Sequence, residues 1–317
     1  MLKITKKLIF GEKNVHLQDF GGREIRTFQK SDFLISGGRY RVTESLLGKI
    51  SGKLLIEINV PIEVEVTFEA QINANVKGAI AHANARGAIA YANADGAEAH
   101  ANAVGAIAHA NKPGAIAHAN KPGAIAYAKA NEALAYANVE GAEAYADAEG
   151  AEAHANAPGA EAYATAPGAK AYANVDGAKA NANALGAIAY ANKPGAIAYA
   201  NARGAKAYAN VPGAIANANA WGAEAHANKP GAEAHANVDG AIAHANAWGA
   251  EAHANVDGAI ARADVFKSRA YANKTGAKAY ADAPGAIANA NAPGAKAYAV
   301  APGAEAYATV PGAEIMR

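Results

Sequence analysis

The sequence predicts an all-β fold: a regular β-solenoid with two strands and about 18 residues per turn, a flat alanine-filled core and a small β-rich N-terminal domain. Three observations predict it. From Gly78 to Arg317 every residue fits a nine-place register, Gly-Ala-x-Ala-(His/Tyr/Asn)-Ala-Asn-x-(Pro/Asp/x), with no insertion or deletion over about three quarters of the chain. Ala-x-Ala-His-Ala alternates with the period of a strand that buries one face. Eleven of the 12 prolines fall on place nine, directly before glycine, as in Pro113-Gly114 and Pro194-Gly195.

The strand comes first. Alanine is also the best helix former, but a glycine every nine residues with proline beside it would break such a helix repeatedly. The corner follows from Pro-Gly. Proline fixes φ at the second position of a type II turn, and glycine readily takes the positive φ of the third. Asp-Gly replaces it at Asp239-Gly240 and Asp257-Gly258. Glycine opens twenty-five of the twenty-seven registers; Glu132 and Lys267 take its place in the other two, and the register continues through both. Constant repeat length under side-chain variation is what a stack of like layers requires.

Inward places two, four and six are alanine almost throughout, and methyl groups alone do not fill a wide triangular interior. Two nonapeptides per turn, with sheets closer than the usual ~10 Å, leave no void. About thirteen turns at ~4.8 Å make a rod of about 65 Å. A three-sided coil, or three chains each giving one strand per layer, is the alternative, and it needs bulkier side chains at the axis.

The nine-residue step resembles that of the calcium-binding RTX nonapeptides in period only. Gly-Ala-x-Ala-His-Ala-Asn lacks their Gly-Gly-x-Gly-x-Asp, so calcium stacking is not implied. A looser resemblance is to bactofilin-like solenoids, which polymerise end to end; it rests on no motif matched residue by residue.

Domain organisation follows the composition. Residues 1–76 hold most of the large apolar side chains, alternate as strands in "KLLIEINVPIEVEVTFEAQINANV", and carry Gly-Gly turns at "DFGGREI" and "ISGGRYRV". They read as a β-rich capping and attachment domain, because an uncovered solenoid end presents unpaired backbone groups. Residues 77–317 read as the solenoid.

Outward positions supply the candidate surfaces. An eighteen-residue turn stacks His82, His100 and His118 in one column, His226 on His244, and His235 on His253. Stacked imidazoles repel when protonated, so their pKa values should fall, and they read as neutral ladders with no metal. Ile89, Ile107 and Ile125 form an apolar column beside tyrosines and histidines, a surface of the kind that meets a partner. Tyr172, Tyr190 and Tyr208 form an aromatic column able to stack on sugars or neighbouring chains, and Trp221 and Trp248 stand at corners. Glu152 with Lys170, and Lys206 with Glu224, place opposite charges one layer apart. Asparagine at place seven, from Asn84 to Asn291, predicts amide ladders like those of cross-β stacks. Ile315 falls on an inward place and is expected to plug the last layer.

Several classes are disfavoured. The chain has no cysteine, so thiol chemistry and Cys-ligated metal are excluded, and a net charge of +1 offers no basic footprint for nucleic acid. Leu8, Ile9 and Phe10 are too short a run for a signal-peptide core and no long apolar stretch follows, which predicts cytoplasmic synthesis without membrane insertion. No catalytic motif, cofactor site or concave pocket is legible. The expectation is a structural rod, fibre or spike component of a virion, injection device or bacterial surface, anchored by residues 1–76 to an assembly partner and working as a homo-oligomer. The alternatives are an end-stacking intracellular polymer and a glycan- or ice-binding surface. The latter lacks threonine rows, with only Thr165, Thr275 and Thr309 in the repeats.

Overall fold

The computed structural model describes residues 4–35, 37–48 and 53–316. It is an all-β solenoid of about 18 residues per turn with an antiparallel N-terminal part. Two compact units, residues 1–153 and 154–317, are taken in turn.

In the first unit the chain opens with β1 (Ile4–Phe10), β2 (Asn14–Asp19) and β3 (Glu24–Gln29), paired antiparallel in that order. A 3-10 turn over Lys30–Phe33 leads to β4 (Tyr40–Val42) and the one-turn helix α1 (Glu44–Leu47). Then come β5 (Lys53–Ile58), β6 (Glu63–Val66) and β7 (Ala70–Ala74). From here strands of four residues recur every nine residues, starting with Ile80–Ala83 and Ile89–Ala92.

Parallel stacking starts before the repeats do. β1 pairs in parallel with β5, β5 with β7, and β7 with Ile89–Ala92, while β4, β6 and Ile80–Ala83 stack as the opposite sheet. Leu54 lies opposite Ala70, sixteen residues on; Gln71 lies opposite Ile89, eighteen on, and that spacing then holds. The inward side chains shrink along the same path. Leu54, Ile56 and Ile58 of β5 give way to Ala70, Ile72 and Ala74 of β7, then to Ala90 and Ala92, all buried. At the wide end Phe10 meets Phe33 edge-on at 5.4 Å, and Phe33 meets Phe28 at 5.3 Å. These rings fill a volume that alanine leaves only when the sheets are close.

The second unit is built from the repeat alone. Each strand pairs with the strand eighteen residues away, so Ala198 lies opposite Ala216 and Ala216 opposite Ala234, and the inward alanines as far as Ala297 have no exposed surface. Ser268 replaces one of them. Its buried hydroxyl donates to Val265 O at 2.5 Å and accepts from Val265 N at 3.2 Å, so no polar atom is stranded.

The corners are i→i+3 turns with glycine third. Ala115 N donates to Lys112 O at 3.0 Å across Pro113-Gly114, and Gly114 has φ 69°. That is the type II geometry expected of Pro-Gly. Corner amides also join layers, as where Gly213 N donates to Gly231 O at 3.0 Å. Glu132 and Lys267 hold the same left-handed backbone at φ 61° and 58°, where an L side chain is strained. Glu132→Gly should therefore stabilise the fold by about 1 kcal/mol, the strain relieved exceeding glycine's larger entropy loss. A higher urea midpoint at unchanged m value is the expected reading, and a lower midpoint would refute it.

Candidate functional site

Each strand carries three outward places, and every one forms a column. Place seven is the most regular. In the first unit Asn102 Nδ2 donates to Asn84 Oδ1 at 2.9 Å, Asn120 to Asn102 at 2.9 Å, and Asn138 to Asn120 at 2.8 Å. In the second unit one such column runs from Asn246 back to Asn156 and the other from Asn291 back to Asn183. These are the ladders expected from the asparagine pattern.

The amides point the same way, and for the column that begins at Asn84 the first unit contains the cause. Glu65 is buried, ion-paired with Arg41, and accepts from Asn84 Nδ2 at 3.1 Å. A carboxylate only accepts, so Asn84 must turn its NH2 toward it and expose Oδ1 to the next layer. Every later amide in that column then has one available orientation.

That orientation fixes the histidines. His82 Nδ1 faces Asn102 Nδ2 at 3.0 Å, and His118 Nδ1 faces Asn138 Nδ2 at 3.2 Å. The ring nitrogen accepts, so the proton rides on Nε2 and is directed at a carboxylate where one is near. Glu98 lies 3.1 Å from His100 Nε2 and Glu224 3.2 Å from His226 Nε2, whereas His82 Nε2 lies 2.6 Å from a Glu63 oxygen at an angle that makes no hydrogen bond. Burial lowers the pKa of His82, His100, His226 and His253, and of His109 and His118 to about 4; the neighbouring imidazole adds to the fall at His100, His118, His226 and His253. The rings stack as expected, His82 on His100 at 4.5 Å and His226 on His244 at 4.8 Å.

Two histidines depart from this rule. At His109 the place that holds asparagine elsewhere is Lys129, whose Nζ lies over the Tyr127 ring at 5.1 Å. His109, only 7% exposed, therefore keeps a buried Nδ1 with no hydrogen-bond partner among the described residues. At His244 the place holds Asp264, which can only accept, so Nδ1 donates to it at 2.7 Å. Asp282, one layer on, pairs with Arg262 Nη1 at 3.2 Å, and burial raises its pKa. Sequence reasoning passed over Glu65, Lys129 and Asp264. The signal for the last two was their interruption of the asparagine run; Glu65 lies outside the repeats and offered none.

The surface residues fall in their expected columns. Ile89, Ile107 and Ile125 pair in register and are half-buried by one another and their neighbours. Tyr172, Tyr190 and Tyr208 stack at 5.0 and 5.3 Å, and Lys206 Nζ meets Glu224 at 3.1 Å. Trp221 and Trp248, each 56% exposed, lie in different corner columns, Trp221 under the Arg203 guanidinium at 4.5 Å and Trp248 one layer from the exposed Phe266. A hollow of about 260 Å³ lies beside Trp248, Glu251, Lys267 and Arg269. Ile315 takes the inward register opposite Ala297 and is 43% exposed. Among the described residues no helix is long and apolar enough to cross a membrane.

Fold and surface together define a β-solenoid repeat protein with polar, aromatic and aliphatic ladders on the outward sides of its sheets. Comparison of the chain with protein-family models, curated proteins and solved structures gave no significant match.

Proposed function

We propose that this protein is a structural, non-catalytic rod component of a fibre, spike or surface assembly, attached through residues 1–76 and working as a homo-oligomer. The observation that carries the reading is the character of the outward columns. Amide, aromatic and aliphatic side chains repeat at one-layer spacing along each unit, with their hydrogen-bonding and stacking capacity largely spent on one another. Such ladders stiffen a sheet. The half-buried isoleucine column and the exposed tryptophans supply apolar surface for contact between copies.

Light scattering on the purified chain at micromolar concentration, with electron microscopy of the same sample, tests this. Thin particles of discrete small oligomers are expected. Long filaments would transfer the proposal to an end-stacking polymer, and monomers at all concentrations would overturn self-association and return attention to a glycan- or ice-binding surface.

A further inference from the structure

We propose that Glu98, His100 and His118 form a binding site for one divalent transition-metal ion of the zinc type. One ligand atom from each of the three lies within 4.8 Å of the others. Two features of the repeat bring them together. Glu98 and His100 occupy places three and five, so both stand on the outer face of one strand with Glu98 Oε2 3.1 Å from His100 Nε2. The eighteen-residue turn then sets His118 over His100, in register and with ring centroids 4.6 Å apart.

The donor chemistry suits zinc. Imidazole nitrogen and carboxylate oxygen bind it at about 2.0–2.2 Å, which in a tetrahedral site sets neighbouring donors roughly 3.3 Å apart. The Glu98–His100 pair already has that separation, and a side-chain rotation of His118 completes three ligands and leaves the fourth position to water. Ile116 and Leu134, half-buried at place three of the next two layers, form an apolar flank. The same Glu-x-His spacing recurs at Glu152, Glu224, Glu233 and Glu251, but among the described residues only Glu98, His100 and His118 bring three ligand atoms within 4.8 Å of one another, and at Glu224 Lys206 Nζ sits 3.1 Å from the carboxylate and opposes a cation.

Coordination through Nε2 puts the ring proton on Nδ1. Asn120 and Asn138 face those Nδ1 atoms with NH2 groups and must turn to present oxygen, which limits affinity. The chain shows the remedy at His244, where Asp264 accepts from Nδ1 at 2.7 Å. Asn138→Asp should therefore strengthen binding, since a carboxylate behind a ligating histidine raises affinity by about 10–100-fold.

The test is titration of the chelator-treated full chain with Co²⁺, followed by visible absorption, and with Zn²⁺, followed by calorimetry. One equivalent should bind with the intense visible bands of tetrahedral cobalt. His118→Asn should weaken that equivalent at least tenfold and Asn138→Asp should tighten it about tenfold. Asparagine stands at the same place in Asn181, Asn217 and Asn289, so His118→Asn preserves the fold, and unchanged far-ultraviolet circular dichroism verifies this. Absence of a cobalt band at millimolar metal, or equal binding by His118→Asn and the unaltered chain, overturns the proposal.

Discussion

Ala216→Leu should destabilise the second unit by about 3 kcal/mol or more, one of the two largest effects expected here. Ala216 has no exposed surface and is stacked between Ala198 and Ala234 in its own sheet, with further alanines facing it from the other. A native core relieves an added methylene by moving neighbouring side chains into other rotamers, at a typical cost of 1–3 kcal/mol. An all-alanine layer has no rotamers to change, so three extra carbons can be housed only by parting the sheets. Parted sheets pull on the inter-layer hydrogen bonds above and below, such as Asn219 N to Ala200 O at 2.9 Å. The outward control is Ile215→Leu, which keeps volume on a half-exposed column and should shift stability by under about 1 kcal/mol. Urea unfolding of both variants checks this. Equal midpoints would refute the claim that the alanine core has no room for a larger side chain.

The other large effect is acid destabilisation. His109 and His118 have folded pKa values of about 4 against an unfolded value near 6.5, and His82, His100, His226 and His253 are shifted the same way. A depressed histidine pKa means that between pH 6.5 and 4 the unfolded chain binds more protons than the folded one. Stability from these groups is therefore fully present above pH 6.5, is lost progressively as pH falls toward 4, and is flat below the folded value. His109 and His118 between them contribute on the order of 3 kcal/mol across that window once solvent screening is allowed for. Thermal melts at pH 7.5, 5.5 and 4.5 should show a steep fall in Tm. The double variant His100→Asn, His118→Asn should show a shallower one, and parallel curves would deny these rings the role assigned to them.

Most of the fold was legible because the repeat encodes it locally. Alanine on alternate places, proline before glycine and a fixed period of nine specify strand, corner and coil without reference to distant residues. Even the choice of two sides over three followed from methyl-sized inward groups. The start of the coil was less legible. β5 and β7 stack in parallel with the later layers but use leucine and isoleucine and sixteen-residue spacing, so the alanine pattern that marks the repeats is not yet present. The columns of the candidate surface could be listed from the eighteen-residue turn alone. The hydrogen-bond direction of the column that begins at Asn84 could not, since it depends on Glu65, a residue outside the repeat and nineteen positions before the first asparagine it orients.

That direction has an electrical consequence. In a parallel sheet the backbone N–H and C=O groups of each strand point to both neighbours, and their dipoles largely cancel along the stacking axis. The asparagine amides do not cancel, because every NH2 in the first-unit column faces the preceding layer. Such a column is the side-chain counterpart of a helix macrodipole, with its partial positive end at Asn84. Glu65 stands there as an acidic residue stands at a helix N-terminus, so the carboxylate that starts the ladder also neutralises the charge the ladder accumulates.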